Sequence, residues 1–202
     1  MAIKLIVGLG NPGSEHEKTR HNAGFWWIDE LSANERVSLK PEKKFHGDSA
    51  RLSFGGHDLW LLQPMTYMNV SGRSVQALAT FYKIAPQEIL VVHDDLDLLP
   101  GTVKMKQGGG HGGHNGLKDI AAHVGTLDFW RLRIGIGHPG DRDAVIGYVL
   151  QAPRAEERAK IEESITRSLQ IFPQIARGDL QAAMLKLHTR PKAEADPKGE
   201  NK

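Results

Sequence analysis

IKLIVGLGNPG, residues 3–13, sets a strand against a stop. Residues 3–9 form an apolar run of the kind that is buried on both faces of a sheet, and GNPG then breaks it. A helical spacing follows in Phe25, Trp26, Ile28 and Leu31. Residues 51–54 and 59–63 flank Gly55-Gly56 as a hairpin, which adds antiparallel character. Ser71 stands where it can cap a helix running to about Lys83, with Val75, Leu78, Ala79 and Tyr82 on one face. Residues 88–93 are a second apolar strand ending in the acidic turn DDLD. Residues 102–106 alternate, with Val103 and Met105 facing one way and Lys104 and Lys106 the other. Residues 115–124 suit a short helix, and 131–136 alternate again, setting Arg131 and Arg133 on one face. Helical stretches over 154–175 and 180–187 close the order. Strands alternating with helices predict a single three-layer α/β/α domain over 1–190 with a mixed, mostly parallel twisted sheet. The polar stretch 191–202 is expected to be a disordered tail.

The composition fits that domain. Of 202 residues, 40% are hydrophobic and 25% charged, the makeup of a soluble globular protein with one substantial core. Lys and Arg number 26 against 24 Asp and Glu, so bulk charge does not point to nucleic acid, and any such binding must come from a local basic patch. The absence of cysteine excludes disulfides, thiolate zinc sites and a cysteine nucleophile, and agrees with a reducing compartment. The N-terminal apolar run is too short for a signal peptide, and no segment reaches the ~18 apolar residues of a membrane span. A cytoplasmic location without membrane contact is the expectation.

Several motifs are present in outline only. GLGNPG matches G-x-G-x-x-G after a strand, but the dinucleotide site needs a helix to open at once, and SEHEKTRHNAG has no apolar periodicity for about ten residues. HEKTRH resembles H-E-x-x-H, yet His16 and His21 are five apart, which on a helix separates them by about 140°. The sequence contains no G-x-S-x-G elbow and no Walker loop, so covalent serine hydrolysis and P-loop phosphoryl transfer are disfavoured. GGGHGGHNG, residues 108–116, admits three readings: a phosphate cradle, a mobile flap, or a metal site in which His111 and His114 join Asp94, Asp95 and Asp97.

What remains is a set of polar residues at strand ends and loop starts, where α/β folds place their sites. These are Asn11, His21, Asn69, Asp94 and Asn115. A histidine with an aspartate is a general base with its orienter: a carboxylate on one ring nitrogen fixes the tautomer and leaves the other free to take a proton from water. Side-chain amides can donate to a developing oxyanion. With no good nucleophile present, the chemistry implied is attack by activated water on an acyl group. Taken singly, each residue also has a bland role as a turn, cap or loop residue.

GLGNPG, TRHNAGFW, PMTYMNVSG, HDDLDLLPG, GGGHGGHNGLKD and RLRIGIGHPG, in this order, resemble the bacterial-type peptidyl-tRNA hydrolase family over nearly all of residues 1–150. The resemblance implies a monomeric enzyme, free of metal and cofactor, that cleaves the ester joining an N-blocked peptide to the 3′ ribose of tRNA. It implies that His21 is the base, Asp94 its orienter, and Asn11 a residue that distinguishes blocked from free aminoacyl-tRNA. Tyr67, Met68, Asn69 and Asn115 would line the site for the peptidyl and 3′-terminal groups, Tyr67 through its ring. His16 departs from the family, which commonly has a tyrosine in contact with the tRNA end. Lys104, Lys106 and Arg133 would meet acceptor-stem phosphates, in agreement with the alternation above. The glycine loop then reads as a flap that moves for the tRNA end and returns Asn115 to the ester. A non-catalytic tRNA-binding module and a metal-dependent esterase are the competing classes, and the joint presence of His21 and Asp94 favours the enzyme.

Overall fold

A computed structural model describes residues 1–189; the expected tail lies outside the described residues. The apolar run becomes β1 (Leu5–Gly8), fully buried and flanked by parallel neighbours on both sides. The other strands are β2 (Lys40–Glu42), β3 (Gly47–Phe54), β4 (His57–Pro64), β5 (Ile89–Asp95), β6 (Val103–Gln107) and β7 (Trp130–Gly135). They form one seven-stranded sheet in the order β2-β3-β4-β1-β5-β7-β6. The four strands β4, β1, β5 and β7 run parallel, while β3 at one side and β6 at the other pair antiparallel. The result is the mixed sheet expected from the sequence, with three parallel pairings at its centre and three antiparallel ones toward its edges.

Helices α1 (Ala23–Asn34), α2 (Ser71–Phe81), α3 (Asn115–Val124), α4 (Val145–Val149), α5 (Ala155–Leu169), α6 (Phe172–Arg177) and α7 (Leu180–His188) complete the fold. Alternation along the strands divides the core in two. Ile6, Leu61, Leu90, Val92, Leu132 and Ile134 pack with α1, α5, α6 and α7 on one face. Leu5, Val7, Leu62, Ile89 and Val91 pack with α2 and α3 on the other. Helices on both faces make the three layers.

Three local expectations need correction. Ser71 does not cap α2: a 3-10 turn over Met68–Val70 runs straight into the helix, so Ser71 already lies inside it and its hydroxyl donates back to the Met68 carbonyl. Trp27 rather than Trp26 is fully buried; Trp26 is half-buried at the margin of the core, under the Arg158 guanidinium. The single helix expected over 154–175 is two, because Pro173 has no N–H for the Leu169 carbonyl. The chain stops at Leu169 and restarts at Phe172, with the proline in the first turn, where no N–H is needed. Short elements β2 and α4 have no counterpart in the sequence reading, being too brief to show a period.

Candidate active site

The carboxyl ends of the parallel strands open onto a cleft of about 700 Å³. Its floor is Asp94, the sixth residue of β5 and 2% exposed. His21 reaches it from a 3-10 turn over Arg20–Asn22 that leads into α1, with Nδ1 2.8 Å from Asp94 Oδ2. The other carboxylate oxygen, Oδ1, lies 2.8 Å from His114 Nε2. Two imidazoles therefore share one buried carboxylate, their ring centroids 4.9 Å apart.

The proton positions follow from the partners. His114 occupies the N-cap of α3, where its Nδ1 accepts from the Gly116 and Leu117 amides at 3.2 and 3.4 Å. An acceptor nitrogen carries no proton, so the proton sits on Nε2 and is donated to Asp94. An ionised Asp94 can only accept, so His21 likewise presents Nδ1–H to it and keeps Nε2 as a lone pair for the cleft. Burial would raise the Asp94 carboxyl, but the charges and hydrogen bonds of His21 and His114 hold it well below the usual carboxylate range. Burial would lower His21, and the charge and hydrogen bond of Asp94 outweigh that, leaving its pKa above the ordinary histidine value. Next to them His93 gives Nδ1–H to the Asp94 backbone carbonyl at 2.7 Å. Burial first, then His114, pushes its pKa down to about 3, so it stays neutral.

His21, Asp94 and His114 are the group among the described residues whose donor atoms could surround a metal ion. The donor set argues against one. A cation at His114 Nε2 would displace a proton that cannot move to Nδ1, because two backbone N–H groups already point there. The metal set weighed from sequence does not assemble: His111 turns its Nδ1 to the Gly113 amide, and Asp95 pairs with Arg133 at 2.7 Å.

Asn11 joins the site through an interlock of three loops. Its backbone N–H donates to Asn22 Oδ1 at 2.9 Å, and Asn22 Nδ2 returns a bond to the Asn11 carbonyl at 3.0 Å. Asn11 Oδ1 accepts from the Met68 amide at 2.7 Å. The side chain thus bridges to the next loop instead of closing its own turn, and its Nδ2 has no protein partner among the described residues and lines the cleft. Met68 is buried beneath the rim, whereas Tyr67 is 64% exposed and Asn69 and Asn115 stand exposed at the edge. His16 is separate: it lies in the turn before His21, beside Glu15 and outside the cleft lining.

The basic strand face forms as the alternation predicts. Lys104 pairs across the ladder with Arg133 and Lys106 with Arg131. Lys104 is exposed and Lys106 and Arg133 are half-buried at the cleft edge. Arg131 differs, being buried, with its guanidinium turned to backbone carbonyls. Sequence reasoning missed Asn22 and Arg131 as parts of this site, and weighed His114 beside Asp94 only as a metal ligand rather than as a cap that hydrogen-bonds the carboxylate. Histidine is not a favoured N-cap residue, and nothing in an alternating strand distinguishes a buried arginine from an exposed one.

A three-layer α/β domain with a histidine–aspartate pair facing an open cleft at the carboxyl ends of its parallel strands has the arrangement that a hydrolytic site with a general base requires. Comparison with known proteins gives the family. A sequence profile described as peptidyl-tRNA hydrolase matches residues 5–195. The peptidyl-tRNA hydrolase of Nitrosospira multiformis is 60% identical over 188 residues, which cover 93% of this chain and 98% of that protein. The peptidyl-tRNA hydrolase of Neisseria gonorrhoeae is 57% identical over 188 residues, with the same coverage of 93% and 98%. The crystal structure of peptidyl-tRNA hydrolase from Acinetobacter baumannii matches with a TM-score of 0.91 at 49% identity, covering 95% of this chain and 97% of that one. The chain belongs to the peptidyl-tRNA hydrolase family.

Proposed function

We propose that this cleft hydrolyses the ester between an N-blocked aminoacyl or peptidyl group and the 3′ ribose of tRNA, without metal or cofactor, and that the protein acts as a monomer. The observation that carries the reading is the doubly bonded Asp94: with both carboxylate oxygens engaged, His21 is held with its free nitrogen toward the cleft. In this mechanism His21 Nε2 takes a proton from water as the oxygen attacks the ester carbonyl carbon. The tetrahedral oxyanion accepts hydrogen bonds from side-chain amides, for which Asn115 and Asn69 at the rim are available. The intermediate then collapses, breaking the bond to the ribose 3′ oxygen, which leaves with the proton held by His21. Asn11 Nδ2 is the free donor for the blocked amino end. A neutral carboxamide offers no charge to a protonated free amine entering the cleft, so the unblocked substrate is penalised. Tyr67 supplies a ring at the mouth and Met68 an apolar floor, while Lys104, Lys106 and Arg133 take the acceptor-stem phosphates. His16 stands outside the cleft lining, so a contact from it to the tRNA end would fall away from the reacting ester.

The test is incubation of the purified protein with N-acetyl-aminoacyl-tRNA, with and without EDTA, beside a His21→Ala variant. Release of free tRNA that survives EDTA and falls ~10²-fold to 10⁴-fold in the variant is expected. Binding without release would make the protein a tRNA-binding module, and loss of activity in EDTA would make it a metal-dependent esterase.

A further inference from the structure

We propose that Arg131 is a positioning residue for this reaction, and that it acts by clamping the glycine loop on the sheet face so that His114 and Asn115 reach the cleft. The inference rests on the proposed hydrolase reading. Its starting point is topology. Because β6 runs antiparallel to β7, it ends at Gln107 beside Trp130, at the end of β7 remote from Asp94. His114 must nevertheless bond Asp94, so the loop 108–114 has to travel back along the sheet. Gly108, Gly109, Gly112 and Gly113 have positive φ (67°, 94°, 57° and 79°), a path that side chains rarely follow.

A bare loop on a sheet needs something to hold it, and Arg131 is placed to do so. Nη1 donates to the Gly110 carbonyl at 2.5 Å, and Nη2 to the Gly109 carbonyl at 2.7 Å and the Leu127 carbonyl at 3.3 Å. None of these partners is a carboxylate, the residue is 1% exposed, and its Nε has no partner. Burying a guanidinium on neutral partners is expensive, and an aliphatic side chain would fill the same core position without that cost. What the aliphatic chain could not do is gather carbonyls from two separate segments, as the planar fork of arginine does. The loop is thus anchored at Gly109-Gly110 by Arg131 and at His114 by Asp94, and the span without an outside hydrogen bond among the described residues shrinks to 111–113. The flap is then a short tip instead of the whole glycine run. Arg131 lies on the same strand face as Lys104, Lys106 and Arg133, but its terminal nitrogens are already engaged, so it is not a phosphate contact.

The experiment compares Arg131→Met and Arg131→Lys with the parent and with Arg133→Met. In the folded Arg131→Met protein, kcat should fall at least tenfold on N-acetyl-aminoacyl-tRNA and equally on a minimal ester lacking the acceptor stem, while the salt dependence of KM stays that of the parent. Arg131→Lys should recover part of the loss. Hydrogen exchange needs no substrate: the Gly116 and Leu117 amides, which bond His114, should exchange faster in Arg131→Met and not in Arg133→Met. If the methionine variant does not fold, the lysine variant carries both measurements, with smaller changes of the same sign. Unchanged exchange at those amides, normal kcat in folded protein, or a loss confined to full-length tRNA with a flattened salt dependence would each overturn the proposal. A parent protein that releases no tRNA but shows the exchange difference would sink the hydrolase reading and leave the clamp standing.

Discussion

Asp94 accepts from two imidazoles at once, and what lies behind each imidazole decides what a substitution there will do. His114 cannot reverse its tautomer, because backbone N–H groups occupy its Nδ1. His21 can. In Asp94→Asn the carboxamide has one acceptor and one donor, so its oxygen must face His114 Nε2–H and its NH₂ must face His21 Nδ1. His21 then carries its proton on Nε2, where it cannot accept one from water. The proposed base is lost without being removed, and kcat/KM should fall ~10²-fold or more. The residual activity should also report the pKa of His21. Burial depresses it and Asp94 raises it above the ordinary value, so if His21 is the base the parent should lose activity as pH falls through a point above that value. With the carboxylate gone, burial acts alone and the acid limb of kcat/KM should move to lower pH. A pH–rate series on both proteins checks this, and an unmoved limb would mean that the imidazole and the carboxylate are uncoupled.

At the scale of elements, the position of His21 depends on how closely α1 approaches the sheet. A Cβ on Gly24 would strike the backbone of Leu9 and the Val92 carbonyl, and one on Gly8 would strike the Gly24 carbonyl. These glycines bring the first turn of α1 against β1 and β5, and the turn that carries His21 immediately precedes it. Gly24→Ala should therefore push α1 outward, costing ~1–3 kcal/mol of overpacking. Since a 150–250-residue protein loses about 2–4 °C per kcal/mol, a fall in Tm of roughly 2–12 °C is expected, together with a lower kcat as His21 leaves Asp94. A variant with parent Tm and kcat would show that α1 has room to spare. The same element marks the reach of sequence reasoning. Apolar runs and alternation located β1, β5, β6, β7, the hairpin and α3, because periodicity survives whatever packs against it. The loop-end residues Asn11, His21 and Asp94 stood out because polar side chains at strand ends have few structural reasons to be there. What stayed hidden depends on through-space partners: Ser71 within a helix already begun by a 3-10 turn, the break before Pro173, His114 as both cap and aspartate partner, and Arg131 buried on carbonyls.

Across the whole molecule, charge is nearly balanced, with 26 basic against 24 acidic residues, so attraction for a polyanion has to come from where the cations stand. They stand together on β6 and β7 because the pleat sends Val103 and Met105 into the core and leaves Lys104 and Lys106 on the opposite face, in register with Arg133 and Arg131. The four are not equivalent. Arg131 is spent on the glycine loop, and Arg133 gives its Nε to Asp95 while its terminal nitrogens have no partner among the described residues. Lys104 is exposed, and Lys106 is at the cleft edge with its pKa lowered by burial first and then by the two arginines. Lys104, Lys106 and the terminal nitrogens of Arg133 are therefore the groups available for phosphates in the proposed reading, where each contact would release counterions, so log KM should rise with log salt at a slope of about 0.7–0.9 per phosphate engaged. Replacing Lys104, Lys106 or Arg133 singly by a neutral residue should raise KM for tRNA substrates, lower that slope by roughly one contact, and leave kcat on a minimal ester unchanged. Steady-state kinetics across a salt series, on full-length and minimal substrates, decides. Equal losses on both substrates would make these side chains supports of the β6–β7 ladder, and the surface that receives the acceptor stem would have to be sought elsewhere on the molecule.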